Sequence, residues 1–97
     1  MAYEIKWSKK ADKDLYRMVE YAEANWSIKA FQTFIDIVFA SLDLIAEFPE
    51  MGIVESKKKS LHSYLIGKNC RVFYRIQKKQ IILLAFLDVR SNKKRPR

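Results

Sequence analysis

Three apolar runs separated by two short polar turns, all within Leu61–Arg90, constrain this chain more than any other feature. The runs read LHSYLI, CRVFYRI and IILLAFLDVR, with GKN and QKKQ between them. Short runs of this kind, rich in branched and aromatic residues and bounded by turn residues, are strands. Gly67-Lys68-Asn69 suits a hairpin turn, and Gln77 to Gln80 suits a second. In the middle run Val72, Tyr74 and Ile76 fall on one face, while Arg71, Phe73 and Arg75 fall on the other. The last run is apolar on both faces, which places it inside a sheet rather than at its edge.

The segment before these runs has the other periodicity. Residues 2–7 first alternate Tyr3, Ile5 and Trp7 with Glu4 and Lys6, the pattern of a half-buried strand. Ser8 then stands where an N-cap opens a helix. Ala11, Leu15, Met18, Val19, Ala22 and Trp26 recur at steps of three and four, so one helix face runs to about residue 24, with Lys10, Asp14 and Arg17 on other faces. Asn25 and Ser27 bracket a break, and Ser27 caps a second helix. Its broad stripe of Phe31, Phe34, Ile35, Val38, Leu42, Ile45 and Phe48 fits contact with both a sheet and the first helix. Pro49 ends it, because the residue before proline is pushed out of the α region. Gly52 follows in a turn, and residues 53–60 read as a polar loop. The expected order is β-α-α-β-β-β, an α+β domain with a helix hairpin on one face of a mostly antiparallel four-stranded sheet. Ninety-seven residues allow one domain, 1–97, with residues 91–97 as a basic tail.

The net charge of +8 is unevenly spread. Residues 1–56 hold six basic and ten acidic side chains, and residues 57–97 hold thirteen basic residues against Asp88 alone. The helical half is therefore acidic and the strand-rich half strongly cationic. Surface solubilisation is the plain reading of such a split; a polyanionic or acidic partner is the functional one. The single cysteine, Cys70, excludes an intrachain disulfide and fits a reducing compartment. The longest apolar run is far short of a membrane span, and the N-terminus has no signal-peptide core. A cytoplasmic protein without a membrane partner is expected.

Several chemistries are disfavoured. One histidine and one cysteine without ligand spacing make a metal site unlikely, and two glycines do not build a phosphate-cradling loop. No cofactor is expected. A Cys70–His62 dyad is a weaker reading than a strand cysteine packed in the core. Cations, hydroxyls and one imidazole remain, and these handle phosphate. Arginine forks bind it bidentately, and lysines add point charges. RNA cleavage by its own 2′-hydroxyl needs only a base, an acid and charge stabilisation. Candidate stabilisers are Lys68, Arg71 and Arg90; candidate acid–base groups are His62, Tyr74, Glu55 and Asp88. For Arg71 and Arg90, phosphate contact and plain surface charge stay open alternatives. Tyr74 is read first as a core residue, and His62 first as a hydrogen-bonded surface histidine. Lys57, Lys58, Lys59, Arg75, Lys93 and Lys94 are the candidate nucleic-acid contacts, with a solvated loop the simpler reading of the lysine triplet.

Four motifs carry a family likeness. They are Ala11-Asp12-Lys13-Asp14-Leu15 after the opening strand, Phe48-Pro49-Glu50-Met51-Gly52, Arg71-Val72-Phe73-Tyr74-Arg75-Ile76, and Asp88-Val89-Arg90-Ser91-Asn92. In this order the chain resembles the RelE/ParE superfamily of toxins from type II toxin–antitoxin systems over nearly its whole length. The resemblance implies a small basic toxin neutralised by a cognate antitoxin that orders on binding, across the helix hairpin and the sheet, with acidic residues against the cationic half. RelE-like members cleave mRNA in the ribosomal A site; ParE-like members poison DNA gyrase. The resemblance thus implies either the ribosome and mRNA or gyrase as the target, with metal-independent mRNA cleavage ranked just ahead; a basic module that binds nucleic acid passively ranks well behind both. Arg71 and Arg90 match arginines that RelE-like enzymes use for phosphate. Ser63 and Leu65 lie near the positions of their catalytic lysines, for which Lys68 is the nearest substitute. Asp88 stands where many relatives carry histidine, which removes a general acid suited to neutral pH. The helix hairpin and the Pro-Glu-Met-Gly turn look more ParE-like.

Overall fold

The computed structural model describes residues 2–89. Along the chain lie β1 (Glu4–Trp7), α1 (Lys9–Asn25), α2 (Ile28–Glu47), a 3-10 turn (Pro49–Met51), β2 (Ile53–Ser56), β3 (Leu61–Ile66), β4 (Cys70–Gln77) and β5 (Gln80–Asp88). The sheet has five strands in the order β1-β5-β4-β3-β2. β1 runs parallel to β5, and every other pairing is antiparallel. The α+β class is as expected, but the strand count is not: Ile53–Ser56 is an edge strand rather than the start of a loop. Four residues, two of them exposed and apolar, are too short for periodicity to reveal.

The helix ends follow their local chemistry. Ser8 Oγ accepts from the Ala11 amide at 3.0 Å, and Ser27 Oγ accepts from the Ala30 amide at 3.1 Å. Each serine satisfies one of the donors a helix start leaves unpaired. The α2 ladder closes with Phe48 N donating to Leu44 O, and Pro49 then opens the 3-10 turn.

Both helices pack on one sheet face. Ala11 and Leu15 of α1 meet Val38, Leu42 and Ile45 of α2 in one cluster with Ile66, Val72, Tyr74, Ile81, Leu83 and Phe86 from the strands. Complete burial of a side chain such as Ile45 or Leu83 contributes roughly 1.5–3 kcal/mol. Phe48, expected in the helix stripe, is 57 % exposed instead. It is the residue after the last turn of α2, where the backbone leaves helical geometry and carries the ring off the stripe.

Asp14 also departs from its expected outward position. β1 stops pairing at Leu83, and the register between β4 and β5 slips between Phe73 and Tyr74. Beyond that point α1 takes over the free edge of β5. Ser8 N donates to Leu83 O at 3.1 Å, Ser8 Oγ donates to Leu84 O at 3.2 Å, and Phe86 N donates to Asp14 Oδ2 at 3.1 Å. The buried Asp14 carboxylate thus supplies the acceptor that a continuing strand would have supplied.

Candidate functional site

The register of β3 and β4 sorts the candidate residues onto two faces. His62, Tyr64 and Ile66 pair with Tyr74, Val72 and Cys70 on the helix side. Leu61, Ser63 and Leu65 share the opposite face with Arg75, Phe73 and Arg71. No described element covers that second face.

On it, three polar groups form a line. Arg71 Nη1 donates to Ser63 Oγ at 3.0 Å, and Ser63 Oγ donates to Glu55 Oε2 at 2.5 Å. Ser63 and Arg71 are diagonal neighbours across the hairpin, close enough for a long side chain to bridge. Glu55 is brought in by a bulge: the β2–β3 register shifts between Val54 and Ser56, so Glu55 stands out of the regular alternation. Ser63 is wholly buried, so its hydroxyl works as a connector and not as a nucleophile. The Glu55 carboxylate, through Ser63, orients the Arg71 guanidinium, whose remaining donors suit an anionic oxygen.

A second contact fixes this line from behind. The Tyr74 hydroxyl, on the helix side, donates to Pro49 O at 2.7 Å. Gly52 lies so close that a Cβ there would stand 2.5 Å from Ser63 O and 2.6 Å from the Tyr74 hydroxyl oxygen. Burial pushes the Tyr74 phenol above its ordinary pKa, and the Gly52 backbone amide partly opposes that. The turn before β2 is thus pressed onto β3 and β4, which sets where the bulged Glu55 lands.

The remaining candidates lie elsewhere. Asp88 is in register with Cys70 on the helix side, across the sheet from Arg71. His62, expected at the surface, is buried; its ring stacks on Tyr74 with centroids 5.5 Å apart, and Nδ1 lies 3.3 Å from Ser60 O. The pairing of His62 with Tyr74 on an inward-facing position is what draws it in. Cys70 is buried as a core residue, and burial, reinforced by the Asp88 charge, pushes its thiol up to about 12. It is therefore inert at neutral pH. Lys68 sits exposed in the turn between β3 and β4, at the Arg71 end of the sheet. Lys57, Lys58 and Lys59 are exposed at the opposite end, and Arg75 is on the Arg71 face but displaced toward the lysines. Arg90, Lys93 and Lys94 lie outside the described residues. No cluster of metal-ligating side chains occurs among the described residues, and no described helix is long and apolar enough to cross a membrane.

A separate feature lies on the outer side of α2. Ala40, Leu44 and Phe48 line a shallow groove with Asp43 and Glu47 at its margin. Leu44 and Phe48 are exposed there, as is Ile37 one turn before Ala40.

Residues 5–95 match the family model of the ParE toxin of the type II toxin–antitoxin system parDE. The chain belongs to this family. Solved structures share its fold. The chromosomal ParDE toxin–antitoxin system from P. aeruginosa superposes with a TM-score of 0.73 at 14 % identity, covering 91 % of this chain and 97 % of that one. The toxin–antitoxin complex RelBE2 from Mycobacterium tuberculosis does so with a TM-score of 0.61 at 15 % identity, covering 91 % and 99 %. At such identities the likeness speaks for the fold. Compared by sequence with curated proteins, the chain matches none.

Proposed function

We propose that this ParE-family toxin arrests growth by poisoning DNA gyrase without cutting nucleic acid itself, and that a cognate antitoxin neutralises it. The observation that carries this reading is the division of the acid–base candidates. Glu55 stands beside Arg71, whereas His62, Tyr74 and Asp88 lie on the other side of the sheet. Strand scission by the 2′-hydroxyl needs a base and an acid converging on one phosphate. A guanidinium steered by one hydrogen-bonded carboxylate instead suits a binding contact. Arg71 would then grip an anionic group of the gyrase–DNA complex. Purified toxin should inhibit gyrase supercoiling, with Arg71→Ala weakening inhibition at least tenfold; unimpaired supercoiling at micromolar toxin would sink the proposal.

One observation favours the ribonuclease reading: Arg71 and Glu55 are joined on one face, a phosphate holder beside a potential base. Site-specific cleavage of ribosome-bound mRNA, lost on Glu55→Gln, would establish it.

For the antitoxin, the exposed apolar line of Ile37, Ala40, Leu44 and Phe48 supports docking of an apolar segment along α2. Asp43 and Glu47 flank that line, so acidic antitoxin residues belong against the cationic sheet and not here. Substituting Leu44→Glu should weaken antitoxin binding at least tenfold, and unchanged affinity would remove α2 from the interface.

A further inference from the structure

The two lysine-bearing turns of the sheet end side by side. Lys57, Lys58 and Lys59 occupy the turn between β2 and β3; Lys78 and Lys79 are the two-residue loop between β4 and β5, closed by the pair Gln77–Gln80. Because β3 and β4 are antiparallel neighbours, both turns fall at one end, and Ile76 N donates to Ser60 O at 3.1 Å where they meet. Turn centres two strand spacings apart are separated by about 10 Å. All five lysines are exposed, and none forms an ion pair among the described residues. Arg75, opposite Leu61 near the same end, likewise forms no ion pair there, and its Nε is buried without a hydrogen-bond partner.

The acidic groups nearby leave this charge uncompensated. Glu4, whose amide donates to Lys79 O, directs its carboxylate to Lys6 at 3.2 Å and accepts from Gln80 at 3.4 Å. Glu55 is committed to Ser63. Glu47 enters from α2, whose last turn is tied to the start of the chain by Tyr3 N donating to Ala46 O.

The backbone adds an independent sign. Lys78 has φ of 57° at the first position of its hairpin loop, where turn geometry favours glycine. A lysine held in a conformation that suits glycine, beside four others, breaks a local rule in favour of charge.

We infer that Lys57, Lys58, Lys59, Lys78 and Lys79 form a second binding surface, for the phosphodiester backbone of nucleic acid, separate from the Arg71 cluster. Arg71 is seven strand residues from Lys78, about 23 Å away. The two sites therefore contact different stretches of one polymer, the lysine end without regard to sequence. This holds whichever target the Arg71 face engages.

Fluorescence anisotropy of the full chain with a labelled 30-base-pair duplex DNA and a 30-nucleotide single-stranded RNA, from 50 to 200 mM salt, tests it. Five lysine contacts give a log–log salt slope of about −4.5 on duplex, an affinity loss of roughly 500-fold over that range, and about −3.5 or roughly 130-fold on the single strand. The arm with the tighter binding names the nucleic acid. Replacing all five lysines with glutamine should flatten the slope and weaken binding at 50 mM by on the order of 100-fold or more. Arg71→Ala should lower the slope by no more than one contact. An unchanged slope in the five-lysine variant overturns the inference, as does failure of the native chain to bind either probe at 50 mM salt. Loss of binding on Arg71→Ala alone also overturns it. So does a five-lysine variant that loses an acidic peptide while keeping nucleic acid, which would assign this end to a protein partner. Far-ultraviolet circular dichroism of each variant confirms the fold.

Discussion

Arg71 and Glu55 make no ion pair with each other; the buried hydroxyl of Ser63 lies between them, accepting from one at 3.0 Å and donating to the other at 2.5 Å. The guanidinium is thereby oriented without being neutralised in a close pair. Ser63→Ala removes the bridge and leaves two polar partners to find water, a cost of about 1–2 kcal/mol in stability. Toxicity should fall with it, and Arg71→Lys should not restore function, because a lysine cannot present the planar fork. Growth-arrest titration together with urea unfolding separates the two effects. A Ser63→Ala toxin with full potency contradicts the positioning role.

Asp14 tests how the sheet edge is sealed. Asp14→Ala strips the acceptor from the Phe86 amide and should cost about 1–3 kcal/mol, whereas Asp14→Asn keeps an acceptor and should cost clearly less. The exposed partners Lys10 and Arg17 contribute little, so Lys10→Ala should change stability by under about 1 kcal/mol. Equal losses for the Ala and Asn variants would mean the charge matters and the hydrogen bond does not.

Gly52 leaves no room for a side chain. Gly52→Ala forces a methyl group against Ser63 O and the Tyr74 hydroxyl, and overpacking of this kind costs typically 1–3 kcal/mol. Its effect should spread to the Pro49 contact, seen as increased hydrogen exchange in residues 49–56. A native exchange pattern in the variant would show that the turn yields freely.

Stability should decline in alkali. Cys70 is protonated in the fold up to about pH 12, whereas the unfolded thiol titrates near its ordinary value of 9.0. Above pH 9 the unfolded state has lost a proton that the native state keeps, so unfolding becomes more favourable as pH rises toward 12. For this group alone the loss by pH 10 is on the order of 1 kcal/mol. The raised Tyr74 phenol acts in the same direction. Urea midpoints at pH 7 and pH 10, compared between the native chain and Cys70→Ala, isolate the thiol; an identical pH dependence in both would contradict its assignment.

Lys78→Gly should move two quantities in opposite directions. Relief of the positive φ stabilises the hairpin by about 1 kcal/mol, while loss of one cation weakens nucleic-acid binding. A lysine kept only for structure would show neither change in that combination.

How far the sequence revealed this molecule depends on the range of each interaction. Ser8, Ser27 and Pro49 act within a few residues, and the helix limits they set agree with the structure. The three-strand meander was equally legible, since alternation and turn residues are local. β2 was not, because an edge strand of four residues carries almost no periodic signal. Residue type and helical or strand phase point Asp14 and His62 outward, and they are weak guides where a distant group supplies the partner. Asp14 answers the unpaired Phe86 amide 72 residues away, on the edge of β5 that β1 leaves free beyond Leu83. Arg71 and Glu55 are legible as chemical types, but the Ser63 link between them is not. The hairpin register set by Gly67-Lys68-Asn69 would have placed Ser63 diagonal to Arg71; nothing local announced the bulge that swings Glu55 into reach.

Trapping of gyrase on DNA separates non-catalytic poisoning from nucleic-acid cleavage. Purified toxin, gyrase, ATP and closed circular DNA should yield linear DNA after detergent and protease treatment, in amounts that rise with toxin and fall on Arg71→Ala. If no linear DNA accumulates while the same toxin cuts mRNA on the ribosome, the toxin does not poison gyrase and the Arg71–Ser63–Glu55 line belongs to a ribonuclease.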